Sequence, residues 1–425
     1  MRILYVILDG AADRPIPQLN YITTLEAAYT PNLDYFARKS VGGLVYTVGK
    51  GIAPESDIAV YSMLGYKVKE GYVGRGVVEA LGSGLEFSDG NLALRGNFAT
   101  VKEDMSIVDR RVGRSLTSEE AKNLAEAIND KIELSDKRKS VTVKATVGHR
   151  CVVVFRAEDL RLSDNITNTD PAYLKVHGMG VAIKGTEKMK VAKCEPLDQT
   201  IETKVSAELV NEFTEKVYNI LVNEEVNRKR RREGKLEANI ILLRDAGSTL
   251  PKLTPLEEKY GFKPAIIADM PVEIGIAKTI KSDVFTVGAP SAFKEKAEKA
   301  VQLLKDYELV YVHLKGPDEP AHDGNYIAKK KSIEEIDRQF FGIVKETVNL
   351  KETLVIVSSD HTTAVTLKAH TDDPVPFIIA SELFGWDGIC RFTERECSKG
   401  RFGVIDDGSR ILSLTKSLIE KGVRG

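Results

Sequence analysis

Leu309-Val310-Tyr311-Val312-His313-Leu314-Lys315-Gly316-Pro317-Asp318-Glu319-Pro320-Ala321-His322-Asp323 reads as a buried strand that stops abruptly and delivers polar side chains at its carboxyl end. Leu309–Leu314 is nearly all apolar, as a strand covered on both faces must be. Gly316 and Pro317 break it. The four-residue gap from Asp318 to His322 suits one turn that aims a carboxylate and an imidazole at a single ion. Neutral histidine is the commonest metal ligand, and aspartate supplies the charge that holds a hard or borderline cation.

The same design recurs on either side. Ile3–Leu8 is continuously apolar and runs into Asp9, and Leu354–Ser359 runs into Asp360-His361. His370 precedes the turn Thr371-Asp372-Asp373-Pro374, which leads into a further buried run, Pro376–Ala380. Asn239–Leu243 and Ala265–Ala268 are additional strand candidates. Helical patterns near Ser206–Val222, Val272–Ile280, Ala292–Lys305 and Ile327–Val348 alternate with them. Such alternation predicts an α/β fold, a mostly parallel sheet with helices on both faces. Open sheets of this kind place ligands at the carboxyl ends of their strands. Taken singly, an aspartate after a strand ordinarily closes a turn, and a surface histidine is ordinarily just solvated. Four of the six histidines fall between His313 and His370, with carboxylates interleaved. That joint pattern points to a two-metal phosphoryl-transfer centre.

Thr24–Lys39 is helical in pattern, interrupted by Pro31. The Gly- and Pro-containing stretch Gly49–Glu55 then leads to Ser56 and a helix over Asp57–Leu64 that Ser56 is placed to cap. A cap is the ordinary reading of such a serine. Beside metal ligands it becomes a candidate nucleophile, because coordination lowers the pKa of its hydroxyl. From Leu81 to Asp170 the rhythm changes to short strands (Leu92–Phe98, Val141–Ala145, Cys151–Phe155) around one helix that Thr117 and Glu120 open with a capping box. We expect a smaller α+β domain over 81–174, inserted into a metal-binding domain formed by 1–80 and 175–425.

With 425 residues, 42% hydrophobic and 29% charged, the chain has room for two cores. Its formal net charge of −1 gives no long-range attraction to nucleic acid or to anionic membrane. The run Arg228–Arg232 has no aromatic partners for stacking on bases, so it reads as an exposed helix end or a substrate-facing patch. Four cysteines without a CxxC pair read as reduced thiols of a cytoplasmic protein. No apolar run approaches the ~20 residues of a membrane span. The expected partner is a small-molecule substrate, and a homo-oligomer is compatible with a sequence that does not set the number of subunits.

The stretches ILDGAADRPI (7–16), APESDIAVYSMLGY (53–66), GRGVVEALG (74–82), IVDRRVGR (107–114) and VGHR (147–150) are followed by RREGKLEANIILLRDAG (231–247), HLKGPDEPAHD (313–323), SSDHTT (358–363) and AHTDDPVPF (369–377). In these the chain resembles the archaeal-type cofactor-independent phosphoglycerate mutases of the alkaline phosphatase superfamily. The resemblance implies an alkaline-phosphatase-like fold and two divalent cations, typically Mn2+ with Co2+, Mg2+ or Zn2+ as variants, and no need for 2,3-bisphosphoglycerate. Asp9, Ser56, Asp360 and His361 would hold one cation, and Asp318, His322 and His370 the other. Ser56 would carry a phosphoryl group between the two hydroxyls of glycerate, interconverting 3-phosphoglycerate and 2-phosphoglycerate in glycolysis and gluconeogenesis.

That chemistry asks the inserted domain to act as a lid that excludes water and carries cations for an anionic substrate. Arg75, Asp109, Arg110, Arg111, Arg114, His149 and Arg150 are the candidates there, with Lys315 beside the metal ligands. Guanidinium forks match carboxylate and phosphate. Asp109 would orient an arginine or bond a glycerate hydroxyl, and His149 would act as general acid or base or fill a structural role. A solvated charged loop is the plain alternative for the arginines. Two other functions compete: a metal-dependent phosphomonoesterase with the same centre, and a non-catalytic metal- or nucleic-acid-binding protein.

Overall fold

A computed structural model describes residues 1–67, 73–176, 179–182 and 189–422. The chain divides into two compact units, Met1–Tyr72 with Leu253–Gly425, and Val73–Lys252.

The discontinuous unit is built on an eight-stranded sheet. Its order is Asp283–Phe285, Pro264–Ile267, Leu309–Leu314, Arg2–Leu8, Thr353–Ser359, Val375–Ala380, Ser40–Val45, Val404–Ile405. Every side chain from Ile3 to Leu8 is fully buried. Leu4, Val6 and Leu8 enter the main apolar cluster, while Tyr5 and Ile7 point the other way and are covered too, so the sheet is buried on both faces. Each such aliphatic side chain contributes about 1.5–3 kcal/mol through burial. The five strands from Asp283–Phe285 to Thr353–Ser359 run parallel, as expected. Val375–Ala380 is antiparallel to both of its neighbours. Pro31 ends the first helical stretch, which resolves into Thr24–Ala27 and Pro31–Ala37.

Register decides the site. Leu8 pairs with Leu314 on one side and with Ser359 on the other. The next residues on the three strands, Asp9, Lys315 and Asp360, therefore leave the sheet side by side.

The Val73–Lys252 unit is α+β. Leu92–Val101 pairs antiparallel with Arg150–Ala157, with Ile107–Asp109 and with Ile240–Gly247, and Lys139–Ala145 pairs with Arg150–Ala157. Helices Ser118–Lys131 and Ile201–Leu221 share its core, where the Phe155 and Phe213 rings meet edge to face at 5.4 Å. The capping box of Thr117 and Glu120 is present. The expected limits of 81–174 are thus too narrow. Ile240–Gly247, expected in the large sheet, completes the smaller one, with Leu243 opposite Gly96. Gly96 suits that close approach, because a Cβ there would meet Cys151 Sγ at 2.7 Å. Of the basic run, Arg230 is buried against Glu120 and Ser115, and its neighbours lie on an exposed helix face. Among the described residues no helix is long and apolar enough to cross a membrane.

Candidate active site

Asp9, Asp318, His322, Asp360, His361 and His370 converge at the carboxyl ends of the three central strands, and Ser56 joins them. The Ser56 hydroxyl lies 3.2 Å from His361 Nε2. Ser56 does not cap its helix. Glu55 is the extended residue before helix Ser56–Met63, and Ser56 is its first helical residue, which frees the hydroxyl from a capping bond.

Hydrogen bonding fixes how the imidazoles are presented. Thr363 Oγ1 donates to Asp318 Oδ1 at 2.7 Å, so at 2.9 Å it must accept from His361 Nδ1. The lone pair of His361 is then on Nε2, facing Ser56. His370 Nδ1 lies 2.8 Å from the Pro54 carbonyl and His322 Nδ1 3.0 Å from that of Lys368, so both donate there and both lone pairs are again on Nε2. Those two Nε2 atoms stand only 3.1 Å apart, each 3.4 Å from Asp318 Oδ1. With both rings neutral, two lone pairs and a carboxylate oxygen aimed at one point repel unless positive charge sits among them, a proton on His370 Nε2 without metal or a divalent cation in its place, and oxygen acceptors behind the ligands are the usual support of metal-bound histidine.

A second group forms beside the first. Asp360 Oδ1 accepts from the backbone of Gly10 at 2.9 Å and of His361 at 3.0 Å. Its Oδ2 is buried without a hydrogen-bond partner among the described residues, as is Asp9 Oδ1. His361 Nε2 lies 3.3 Å from the former and 3.6 Å from the latter. Ligand atoms of Asp9, His313 and Asp360 lie within 4.8 Å of one another, as do those of Asp318, His361 and His370. Lys315 Nζ contacts Asp9 Oδ2 at 3.1 Å and Glu273 Oε1 at 2.6 Å. Three buried carboxylates against one ammonium leave two negative charges, the charge of one divalent cation. The residues present fit such an ion.

The electrostatics agree. Burial, reinforced by Asp360 and Asp318 and opposed by Lys315, pushes Asp9 up to about 7. Burial pulls His361 down to about 4. Burial would also raise Asp318, but His370 and His361 hold it well below the usual range. Burial disfavours protonation of His370, yet Asp318 pushes it up to about 9. Gly10 keeps the site open. Its φ is +61°, and a Cβ there would stand 2.6 Å from Thr363 Oγ1 and 2.7 Å from Asp318 Oδ1. Behind the site the buried Lys329 Nζ donates to the carbonyls of Ala12 at 2.9 Å and Thr363 at 2.8 Å, tying both ligand-bearing loops together.

Sequence reasoning missed two members. His313 stands out in its apolar strand but was assigned no role, and Glu273 reads as an ordinary third residue of helix Pro271–Thr279. A histidine interrupting a doubly covered strand was the available signal.

The Val73–Lys252 unit holds a separate group of guanidiniums. Arg75 Nε donates to Glu79 Oε1 at 2.7 Å, and Arg95 Nε lies 3.4 Å from the same oxygen. Burial, with Arg75 and Arg244 nearby, pulls Arg95 down to about 10. Arg150 is lowered by burial and by Arg75, Arg111 and Arg244. Burial and the charges of Arg150, Arg111, Arg95 and Arg114 pull His149 down to about 3. Arg95 and Arg244 were not foreseen. Two candidates have local roles. Arg110 is held in a fork by buried Asp170, at 3.0 and 2.6 Å, and Asp109 Oδ1 accepts from the backbone of Arg111 and Gly113.

The sequence model of the 2,3-bisphosphoglycerate-independent phosphoglycerate mutases matches residues 37–227. A protein of that description from Aeropyrum pernix is 43% identical over 99% of this chain and 100% of its own length. One from Methanocaldococcus jannaschii is 39% identical over 97% of this chain and 96% of its own length. The solved structure of the cofactor-independent phosphoglycerate mutase from Thermoplasma acidophilum is 31% identical, covers 98% of this chain and 100% of its own, and superposes with a TM-score of 0.64. A Pyrococcus horikoshii structure gives a TM-score of 0.80 at 31% identity, over 99% of this chain and 97% of its own.

Proposed function

The chain belongs to the 2,3-bisphosphoglycerate-independent phosphoglycerate mutases, a family of isomerases, and on that premise we propose that it moves the phosphoryl group between 3-phosphoglycerate and 2-phosphoglycerate by way of Ser56. The observation that carries this reading is the 3.2 Å approach of the Ser56 hydroxyl to His361 Nε2, beside buried carboxylate oxygens that have no hydrogen-bond partner among the described residues.

Asp9, Ser56, Asp360 and His361 would hold one divalent cation, and Asp318, His322 and His370 the other, with Mn2+ the first candidate. When bound, the cations supply positive charge that eases loss of the serine proton and draws electron density from the phosphoryl oxygens. Ser56 Oγ forms its bond to phosphorus as the bond from phosphorus to the substrate oxygen breaks, and that oxygen takes up a proton. Glycerate reorients, and its other hydroxyl attacks the phosphoserine as Ser56 recovers its proton. Ser56 sits at the positive end of helix Ser56–Met63, which favours the transferred charge.

The glycerate carboxylate needs fixed cations, and Arg75, Arg111 and Arg150 with Arg95 and Arg244 supply them. The work belongs in the cytoplasm, where phosphoglycerate is made and used.

Incubating the Mn2+-loaded protein with 3-phosphoglycerate, and following 2-phosphoglycerate and free phosphate together, tests the proposal. Mutase activity predicts mainly 2-phosphoglycerate, with phosphate on Ser56 in acid-quenched samples. Mainly free phosphate would replace it with a phosphomonoesterase.

A further inference from the structure

We propose that His313 is a further ligand of the cation placed between Asp9 and Asp360, and that Glu273 is the residue that positions it. The inference rests on the two-cation reading and extends its ligand set.

His313 is wholly buried, and among the described residues neither ring nitrogen has a hydrogen-bond partner. Its Nε2 lies 3.4 Å from Asp360 Oδ2 and 3.9 Å from Asp9 Oδ1, two carboxylate oxygens that are themselves without hydrogen-bond partners among the described residues. Three orphaned polar atoms converging in a dry interior are costly unless something joins them. Ligands at about 2.1 Å from an ion are spaced by about 3.0–3.4 Å along the edges of its coordination sphere. The four separations among Asp9, Asp360, His313 and His361, from 3.3 to 3.9 Å, are edges of that size, slightly expanded.

The rear of the ring follows the pattern of the other histidines. His361, His370 and His322 each turn Nδ1 to an oxygen and Nε2 to the centre. His313 turns Nδ1 to Glu273 Oε1, 3.2 Å away, and Nε2 to Asp9 and Asp360. A carboxylate behind a histidine selects the tautomer whose far nitrogen can coordinate. Charge supports the same assignment. Asp9, Asp360 and Glu273 face one lysine, so a divalent cation with a neutral His313 balances the group.

The test uses the full-length protein, stripped of metal and titrated with Co2+, with bound ions counted and the visible spectrum recorded. Wild type should bind two ions. His313→Gln should weaken one of them by at least tenfold and change its ligand-field bands while the other is retained. Glu273→Gln should weaken the same ion by about 10–100-fold. Should His313→Gln fail to fold, X-ray absorption on the wild type answers the same question. Four imidazoles over two ions support the inference, and three overturn it. Two ions in His313→Gln with wild-type affinity and spectrum overturn it alone. A wild-type protein that binds fewer than two ions overturns the two-cation reading and this inference with it.

Discussion

Ser56 and His361 are 305 positions apart in the chain, yet the serine hydroxyl stands 3.2 Å from the imidazole Nε2. Neither side chain has a capping or turn duty that explains the approach. The distance is set by the start of helix Ser56–Met63 on one side and by the end of strand Thr353–Ser359 on the other.

Removing that hydroxyl should stop transfer without dismantling the site. Ser56→Ala is expected to lower kcat by at least about 10³-fold, because the hydroxyl that carries the phosphoryl group is gone. Elemental analysis should still find bound cation, since Asp318, His322 and His370 do not involve Ser56. Near-normal turnover by the variant would remove serine from the mechanism.

Gly10→Ala puts a methyl group where Asp318 and Thr363 already are, on a backbone with positive φ. The conformation alone costs about 1–2 kcal/mol. The variant should unfold at a lower temperature and bind cation more weakly at Asp318. A calorimetric scan and a Co2+ titration matching wild type would show that the loop simply relaxes.

Two arginines of the second unit should respond differently to the same change. Arg110 is taken up by Asp170, which is fully buried. Asp170→Asn leaves part of a buried ion pair unmatched and should cost about 3–5 kcal/mol of stability. Arg110→Lys should likewise lower the thermal midpoint with little change in KM. Arg150→Lys should raise KM for 3-phosphoglycerate about tenfold or more, because a lysine lacks the fork. Equal KM effects at positions 110 and 150 would contradict the separation.

His149 should be neutral at physiological pH in the substrate-free protein. Burial and four neighbouring guanidiniums pull it down to about 3, from an ordinary value near 6.5. The unfolded chain therefore takes up a proton between those values and the folded protein does not. Stability from this group is complete above about 6.5 and falls as the pH drops toward 3. Its ring signals in a nitrogen-correlated NMR titration should stay fixed from pH 8 to pH 5. A midpoint near 6.5 would mean that the guanidiniums are not clustered around it.

Much of this was legible because strand ends announce themselves. Leu309–Leu314 was bounded correctly by apolar continuity on one side and Gly316-Pro317 on the other, and the same grammar found Asp9 and Asp360. Partner choice is a different matter. Asn239–Leu243 has the composition of a buried strand in either sheet, and nothing local says that it will pair with Leu92–Val101. The true extent of the second unit was hidden for that reason. Ser56 was misread as a cap because a one-residue shift in helix onset leaves no mark in the sequence. Glu273 and His313 escaped because their roles depend on Asp9 and Lys315, which reach them only through the sheet.

The central strand, Arg2–Leu8, has a consequence for biosynthesis. It is made before both of its neighbours, Leu309–Leu314 and Thr353–Ser359, which lie far along the chain. The strand must wait, unpaired and highly apolar, until those partners emerge. A metal ion cannot hurry this, since its ligands are not together until Asp360 and His361 have emerged as well. The nascent Arg2–Leu8 stretch is therefore in need of chaperone shelter, whereas the Val73–Lys252 unit, contiguous in the chain, can fold while its distant partners are still being made.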